Sequence, residues 1–251
     1  MAIQNGLLAF VKRDCPTCIL VGPVLDELAR LHDMQIFSQD DPAFHEGVQS
    51  IEDDTELAVS HKFDIEFVPT LIRFEEGEEV ARTHGWNRSE WKKLTGQVDL
   101  GEDLPDSRPG CGALNQDVGK LRQLKIQHGQ SGITSRFISP GAEEDLIEAC
   151  FNRGWSDGLP VVPPTAERVM KMLEGTQRNP DELMGHMPPA LGECTIEKIA
   201  INAVMAGCLP EYLPIVISSI SAILDEDFAL HGVLASTIFV GPVVIVNGPI
   251  A

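Results

Sequence analysis

Two cysteines two residues apart, Cys15-Pro16-Thr17-Cys18, are the side chains of this sequence best suited to chemistry. Such a pair has two readings: half of a zinc site, or a dithiol that cycles with its disulfide. A structural zinc ion needs further ligands, and neither a second Cys-X-X-Cys nor a Cys/His pair of fitting spacing is present. Position favours redox use. An apolar run of strand length, residues 6–12, leads into the pair. An amphipathic helical pattern, residues 19–31, leads out, with Ile19, Leu20, Val24, Leu25, Leu28 and Leu31 on one side. Cys15 then stands where a helix begins, and the unpaired N–H groups and dipole there favour a thiolate. Lys12 and Arg13 add positive charge, which Asp14 partly cancels.

The other cysteines are Cys111, Cys150, Cys194 and Cys208. Cys111 lies in Arg108-Pro109-Gly110-Cys111-Gly112-Ala113, where flanking glycines let a loop approach another thiol or a metal. It is the candidate second thiol. Cys208, in Ala206-Gly207-Cys208-Leu209-Pro210-Glu211-Tyr212, falls at an expected corner between helices, beside the N–H groups of the next one, a setting that suits a nucleophile. Cys194 precedes Thr195, an expected N-cap, with a helix between it and Cys208; Cys150 sits on an apolar helix face and reads as core. His186, beside Met184 and Met187, is either a base or soft-metal ligand, or a loop histidine, and His231 is similar. The stiff stretch 154–165 lines a site through Ser156 and Asp157 on one reading and packs Trp155 against a core on the favoured one.

The elements that must position these groups read as an α/β fold. Over residues 1–97 the order is βαβαββα: strands at 6–12, 34–38, 67–74 and 79–83, helices at 19–31 and 53–62, and a last helix capped by Asn87 or Ser89 and ending near Gly96. Residues 98–140, rich in Gly, Pro and Asp and without period, read as a linker or ordered loop holding a short helix at 117–128. Residues 141–251 read as a mixed α+β domain with helices at 142–152, 165–174, 195–206 and 211–224 and a strand-like end at 236–250. An apolar end of that kind reads as a buried strand, either one that a partner chain, a homo-oligomer or further sequence completes, or one that ends inside a complete sheet.

With these residues in place, 1–97 resembles a thioredoxin-family domain lacking the usual first strand and helix. The Cys15-Pro16-Thr17-Cys18 site, Pro23 past the first cysteine, and Val68-Pro69-Thr70 carry the resemblance. It implies that Pro69 is cis and faces the dithiol, that Val68 and Thr70 flank a substrate groove beside Pro16 and Thr17, and that Pro23 kinks its helix. Asp14 stands where the family commonly has Trp, and Ala9 where it has a buried carboxylate that takes the inner thiol's proton. Those departures imply a dedicated partner rather than general protein-disulfide reduction. Residues 150–251, with the Ala-Gly-Cys-X-Pro-Glu-Tyr stretch, are similar to bacterial proteins that have no assigned reaction, and imply no mechanism.

The balance of 38 acidic against 19 basic residues gives a formal net charge of −19, which repels nucleic acid and anionic membrane surfaces. Hydrophobic residues at 43% and charged ones at 23% fit a soluble globular chain. No basic leader precedes the first apolar run, and Gly and Pro interrupt the longest one. A cytoplasmic protein with mostly reduced thiols is the expectation, any disulfide being catalytic or transient.

Three functions follow. The favoured one is a thiol–disulfide oxidoreductase module, drawing on a thiol electron donor, whose Cys15 and Cys18 deliver electrons to a thiol-dependent site in the C-terminal domain. Cys208 is the expected catalytic recipient, with Cys111 as the other candidate. Attachment makes that transfer effectively concentrated. The second is a soft-metal or organometal handler passing an ion such as Hg(II) or Cu(I) between thiolates; no bound cofactor or metal ligand set is otherwise expected. The third is a redox-controlled, non-enzymatic subunit of a complex. Neither a glycine-rich nucleotide loop, nor paired hydrolytic carboxylates, nor a Ser–His–Asp set competes with these.

Overall fold

The structure, a computed structural model, describes residues 4–44, 51–141, 143–238 and 240–250. Of the expectations above, Ala142 at the head of a helix, and Phe239 and Ala251 in the strand-like end, lie outside them. The chain divides into two compact units, Met1–Leu124 and Lys125–Ala251.

In the first unit β1 (Gly6–Val11), buried from Leu7 to Val11, is the middle strand of a five-stranded sheet. Helix α1 (Pro16–Leu31) follows and returns the chain to β2 (Met34–Ser38), parallel to β1. Next comes β3 (Ile51–Asp53), parallel to β2 at the sheet edge. The helix expected over 53–62 is therefore shorter. Helix α2 spans only Ala58–Lys62, and the Asp54 carboxylate accepts the Val59 and Ser60 N–H groups at 2.9 and 2.8 Å.

The strand expected over 67–74 is two elements. β4 (Phe67–Val68) ends at a cis Val68–Pro69 bond, and β5 (Thr70–Glu75) joins the sheet antiparallel to β1. The split has a plain cause, since Pro69 has no N–H to give to a ladder. β6 (Glu78–His84) closes the hairpin and completes the sheet order β3-β2-β1-β5-β6. After β7 (Trp86–Asn87), α3 (Arg88–Thr95) is capped as expected by Asn87, whose side chain accepts the Glu90 N–H, and it stops at left-handed Gly96.

Residues 98–124, expected as part of a linker or an ordered loop, are ordered and belong to the first unit. Leu100 is buried, Gly101 lies against the Trp86 ring, and Trp86 Nε1 donates to Pro105 O at 2.6 Å. β8 (Ser107–Arg108) pairs with β7, and β9 (Cys111–Gly112) pairs with β4. Buried Asn115 then donates to Ile65 O at 2.8 Å and accepts from Gln39 at 3.1 Å. Helix α4 (Val118–Gln127) matches the short helix expected there and spans the division between the units.

The second unit is a helical core with one hairpin. Helix α5 (Leu146–Asn152) starts at an Asp145 cap and buries Ala149 and Cys150, whereas the apolar Leu146, Ile147 and Phe151 are exposed. Helix α6 (Ala166–Leu173), capped by Thr165, packs on α7 (Ile196–Met205), capped by Thr195. The hairpin of β10 (Leu183–Met187) and β11 (Gly192–Thr195), with a cis Pro188–Pro189 bond between its strands, has no periodic sequence signal. A 3-10 turn at Pro210–Tyr212 leads to α8 (Leu213–Ile223), and α9 (Leu230–Leu234) follows. The strand expected over 236–250 is not formed. Its described residues pair with no other strand, and Val243 and Ile245 are 85% and 80% exposed. Among the described residues no helix is long and apolar enough to cross a membrane.

Candidate dithiol site

Cys15 is the N-cap residue of α1, extended at φ −141°, with Pro16 opening the helix. Its position there leaves the Cys18 N–H pointing at its sulfur, 3.3 Å away. Pro23 sits inside the same helix. Thr17 and Cys18 face inward and are buried, and Cys15 itself is 0% exposed.

The electrostatics of the two sulfurs are opposite. A hydrogen bond from the Cys18 thiol is the largest influence on Cys15; burial opposes it, while the Cys111 thiol and the Cys18 and Thr17 N–H groups assist. The result lowers Cys15 from 9.0 to about 5. Burial pushes Cys18 strongly upward, and its bond to a negatively charged Cys15 pushes it further. At neutral pH the arrangement is one thiolate supported by the thiols of Cys18 and Cys111. Cys15 Sγ also lies 3.5 Å from Val68 O, a bond that only its protonated form donates.

The flanking charged residues are also held by neighbours. Lys12 Nζ donates to Gly112 O at 2.8 Å, and its charge lowers Cys111 while that of Asp14 raises it. Arg13 pairs with Asp41 at 2.5 Å. Asp40 accepts the backbone N–H groups of Arg13 and Asp14, at 2.7 and 3.2 Å, and so fixes the turn that delivers Cys15.

The cis Val68–Pro69 segment faces this sulfur. Thr70 Oγ1 donates to Phe67 O at 2.7 Å and takes a hydrogen bond from His84 Nδ1 at 3.0 Å, while Pro69 O accepts the Gly85 N–H at 2.7 Å. These bonds hold the backbone on both sides of Pro69. Cys15, Cys18, Thr17, Val68, Pro69 and Cys111 are thus brought together within the first unit.

Cys208 belongs to the second unit. Its own N–H is spent on Ala203 O at 2.9 Å, and its thiol is half-buried. Cys194, raised by burial, lines the same cavity of about 490 Å³ as Cys208. Cys150, also raised by burial, lines a larger cavity of about 620 Å³ with Trp155, which stays 41% exposed. Ser156 and Asp157 are engaged with Leu159 in a local turn. His186 is exposed on β10 across from Glu193, and His231 is exposed on α9. Among the described residues no group of three or more His, Cys, Asp or Glu side chains is placed to hold a metal ion.

Sequence reasoning missed Asp40, His84, Gln39 and Asn115, because each acts through a partner far along the chain. The glycines around Cys111 were the one available sign of close approach.

Comparison with solved structures finds likeness to the thioredoxin of Malassezia sympodialis, at 20% identity and TM-score 0.26, over 36% of this chain and 71% of that one. No family model and no curated protein matches the chain.

Proposed function

We propose that the first unit is a thioredoxin-like thiol–disulfide oxidoreductase with Cys15 as the attacking sulfur and Cys18 as the resolving one. The observation that carries this reading is the burial of a Cys15 thiolate, at about 5, under the hydrogen bonds of Cys18 and beside the cis Val68–Pro69 segment. A thiolate populated at neutral pH is the nucleophile that disulfide exchange requires.

In the first step Cys15 attacks one sulfur of a disulfide, forming a mixed disulfide and releasing the other sulfur as a thiolate, which takes up a proton. Cys15 is then neutral, so its push on the Cys18 thiol is removed and Cys18 loses its proton more readily. Cys18 attacks Cys15 Sγ, the Cys15–Cys18 bond forms, and the second thiol leaves. Two electrons pass from the dithiol to the substrate disulfide. In the reverse direction a thiol donor restores the dithiol. Cysteine chemistry in the second unit is the intended recipient, which the shared cavity of Cys194 and Cys208 supports.

The test is stoichiometric. Reduced, desalted protein is mixed with a protein disulfide such as that of insulin, and the disulfide bonds opened per chain are counted. One per chain, with both substrate sulfurs released as thiols, is expected from the wild type, and no such complete release from Cys15→Ser. Equal yields from both would overturn the reading.

A further inference from the structure

Cys15 carries the reactive charge and yet is sealed from solvent. What seals it is the chain's own 107–113 segment. β9 runs antiparallel to β4 with Cys111 directly across from Val68, the residue before the cis Pro69. Thr17 Oγ1, from within the dithiol motif, donates to Pro109 O at 2.7 Å. Lys12 Nζ donates to Gly112 O at 2.8 Å, and the Ala113 N–H to Glu66 O at 2.9 Å. The segment therefore lies along the groove as a fixed strand, and it sets Cys111 across from Val68, whose carbonyl oxygen is 3.5 Å from Cys15 Sγ, near enough for the Cys111 thiol to favour the Cys15 thiolate. Of the three sulfurs, Cys15 and Cys18 are buried and Cys111 alone is partly open.

We propose that Cys111 is a third redox-active cysteine, the one through which disulfides from outside reach the buried dithiol, by way of a Cys15–Cys111 disulfide. This rests on the dithiol reading above and names the immediate substrate of Cys15. The co-reactant is a low-molecular-weight or protein disulfide. Cys111, on losing its proton, attacks one of its sulfurs; a mixed disulfide forms and the other sulfur leaves as a thiolate that is then protonated. Cys15 attacks Cys111 Sγ, forming Cys15–Cys111 and expelling the second outside thiol. Cys18 then gives up its proton and attacks Cys15 Sγ; Cys15–Cys18 forms, and Cys111 leaves as a thiolate and regains a proton. The net change is one outside disulfide reduced and one Cys15–Cys18 disulfide made. The strand pairing keeps the segment in place, so no opening of the groove is needed.

Two variants of the full chain test this with glutathione disulfide as the probe, followed by acid quenching, alkylation and non-reducing peptide mapping. Cys18→Ala removes the last step, and the Cys15–Cys111 linkage is expected to accumulate as the main product. Glutathione attached to Cys15 with Cys111 free would overturn the proposal. Cys111→Ser, checked for an unchanged far-ultraviolet circular dichroism spectrum, is expected to form Cys15–Cys18 at least about tenfold more slowly than wild type, because the accessible sulfur is gone. An equal or faster rate would overturn the proposal while leaving the dithiol reading intact. Failure of the wild type and of Cys111→Ser alike to form any Cys15–Cys18 disulfide would overturn both.

Discussion

Gly85 and Gly110 meet backbone to backbone: a Cβ on Gly85 would lie 2.6 Å from Gly110 N, and one on Gly110 would lie 2.8 Å from Val68 O and 3.3 Å from Gly85 Cα. The closeness lets the 107–113 segment lie flat against the cis-proline loop. Gly110→Ala puts a methyl group against two stretches of backbone, at Val68 and Gly85, that have no side-chain freedom to yield. The expected result is a loss of about 1–3 kcal/mol in urea unfolding. Cys15 should also alkylate faster in the folded protein, as the segment lifts from it.

The segment has a side-chain anchor as well. Thr17→Val keeps the shape at the helix N-terminus and removes the donor to Pro109 O. Stability should fall by about 1 kcal/mol. Hydrogen exchange should locate the change, with faster exchange at Cys111 to Ala113 and little effect on the β1 and β5 amides.

Titration of Cys15 gives a direct reading of the site. Thiolate absorbance of the reduced protein at 240 nm should show one group ionising at about 5, absent from Cys15→Ser. Cys111→Ala removes a donor to that thiolate and should move the midpoint upward. The sign for stability follows from linkage. In the unfolded chain Cys15 holds its proton until its ordinary 9.0, whereas the folded form has released it from about 5. The unfolded state therefore binds more protons between those values, and this group's contribution to reduced-state stability grows from about pH 5 to pH 9. It is fully present above 9.0 and lost as pH falls through about 5. Cys18 is protonated in both states over that window, and it opposes only above its ordinary 9.0. A stabilised thiolate also favours the dithiol, so the disulfide should be more oxidising in the wild type than in Cys111→Ala.

In the second unit Glu197 holds a loop to α7. Burial pushes its carboxyl up, but hydrogen bonds from Ser135 and Thr134, at 2.9 Å each, outweigh that and hold it below the ordinary carboxylate value. Glu197→Gln should cost about 1–3 kcal/mol at neutral pH through weakened acceptance of these bonds. Because the folded value is depressed, the charged group's contribution is present above its ordinary 4.5 and fades as pH falls below it. The gap between variant and wild type in thermal unfolding should narrow on acidification.

The dithiol, its helix and most strands of the first sheet were legible because each announces itself locally. An apolar run, a three- and four-residue spacing or an Asn cap can be read within a dozen residues. The covering of Cys15 was not. β8 and β9 are two residues long, too short to show a period, and what holds this segment are bonds donated by Thr17 and Lys12 and one accepted by Gln39 from the Leu114 N–H, all far upstream. Cys111 was legible as a thiol able to approach another and illegible as to which. The end of the chain misled in the opposite direction. Its Val and Ile content and alternation are those of a strand, but a strand also needs a partner ladder, and composition does not report one.

The most direct measurement is a redox titration of the full chain in dithiothreitol buffers of graded ratio, each point acid-quenched, alkylated and mapped by mass spectrometry. The account predicts, for the first unit, a single reversible two-electron transition whose end state links Cys15 to Cys18. Cys15 and Cys18 carrying separate alkyl groups at every ratio would contradict it.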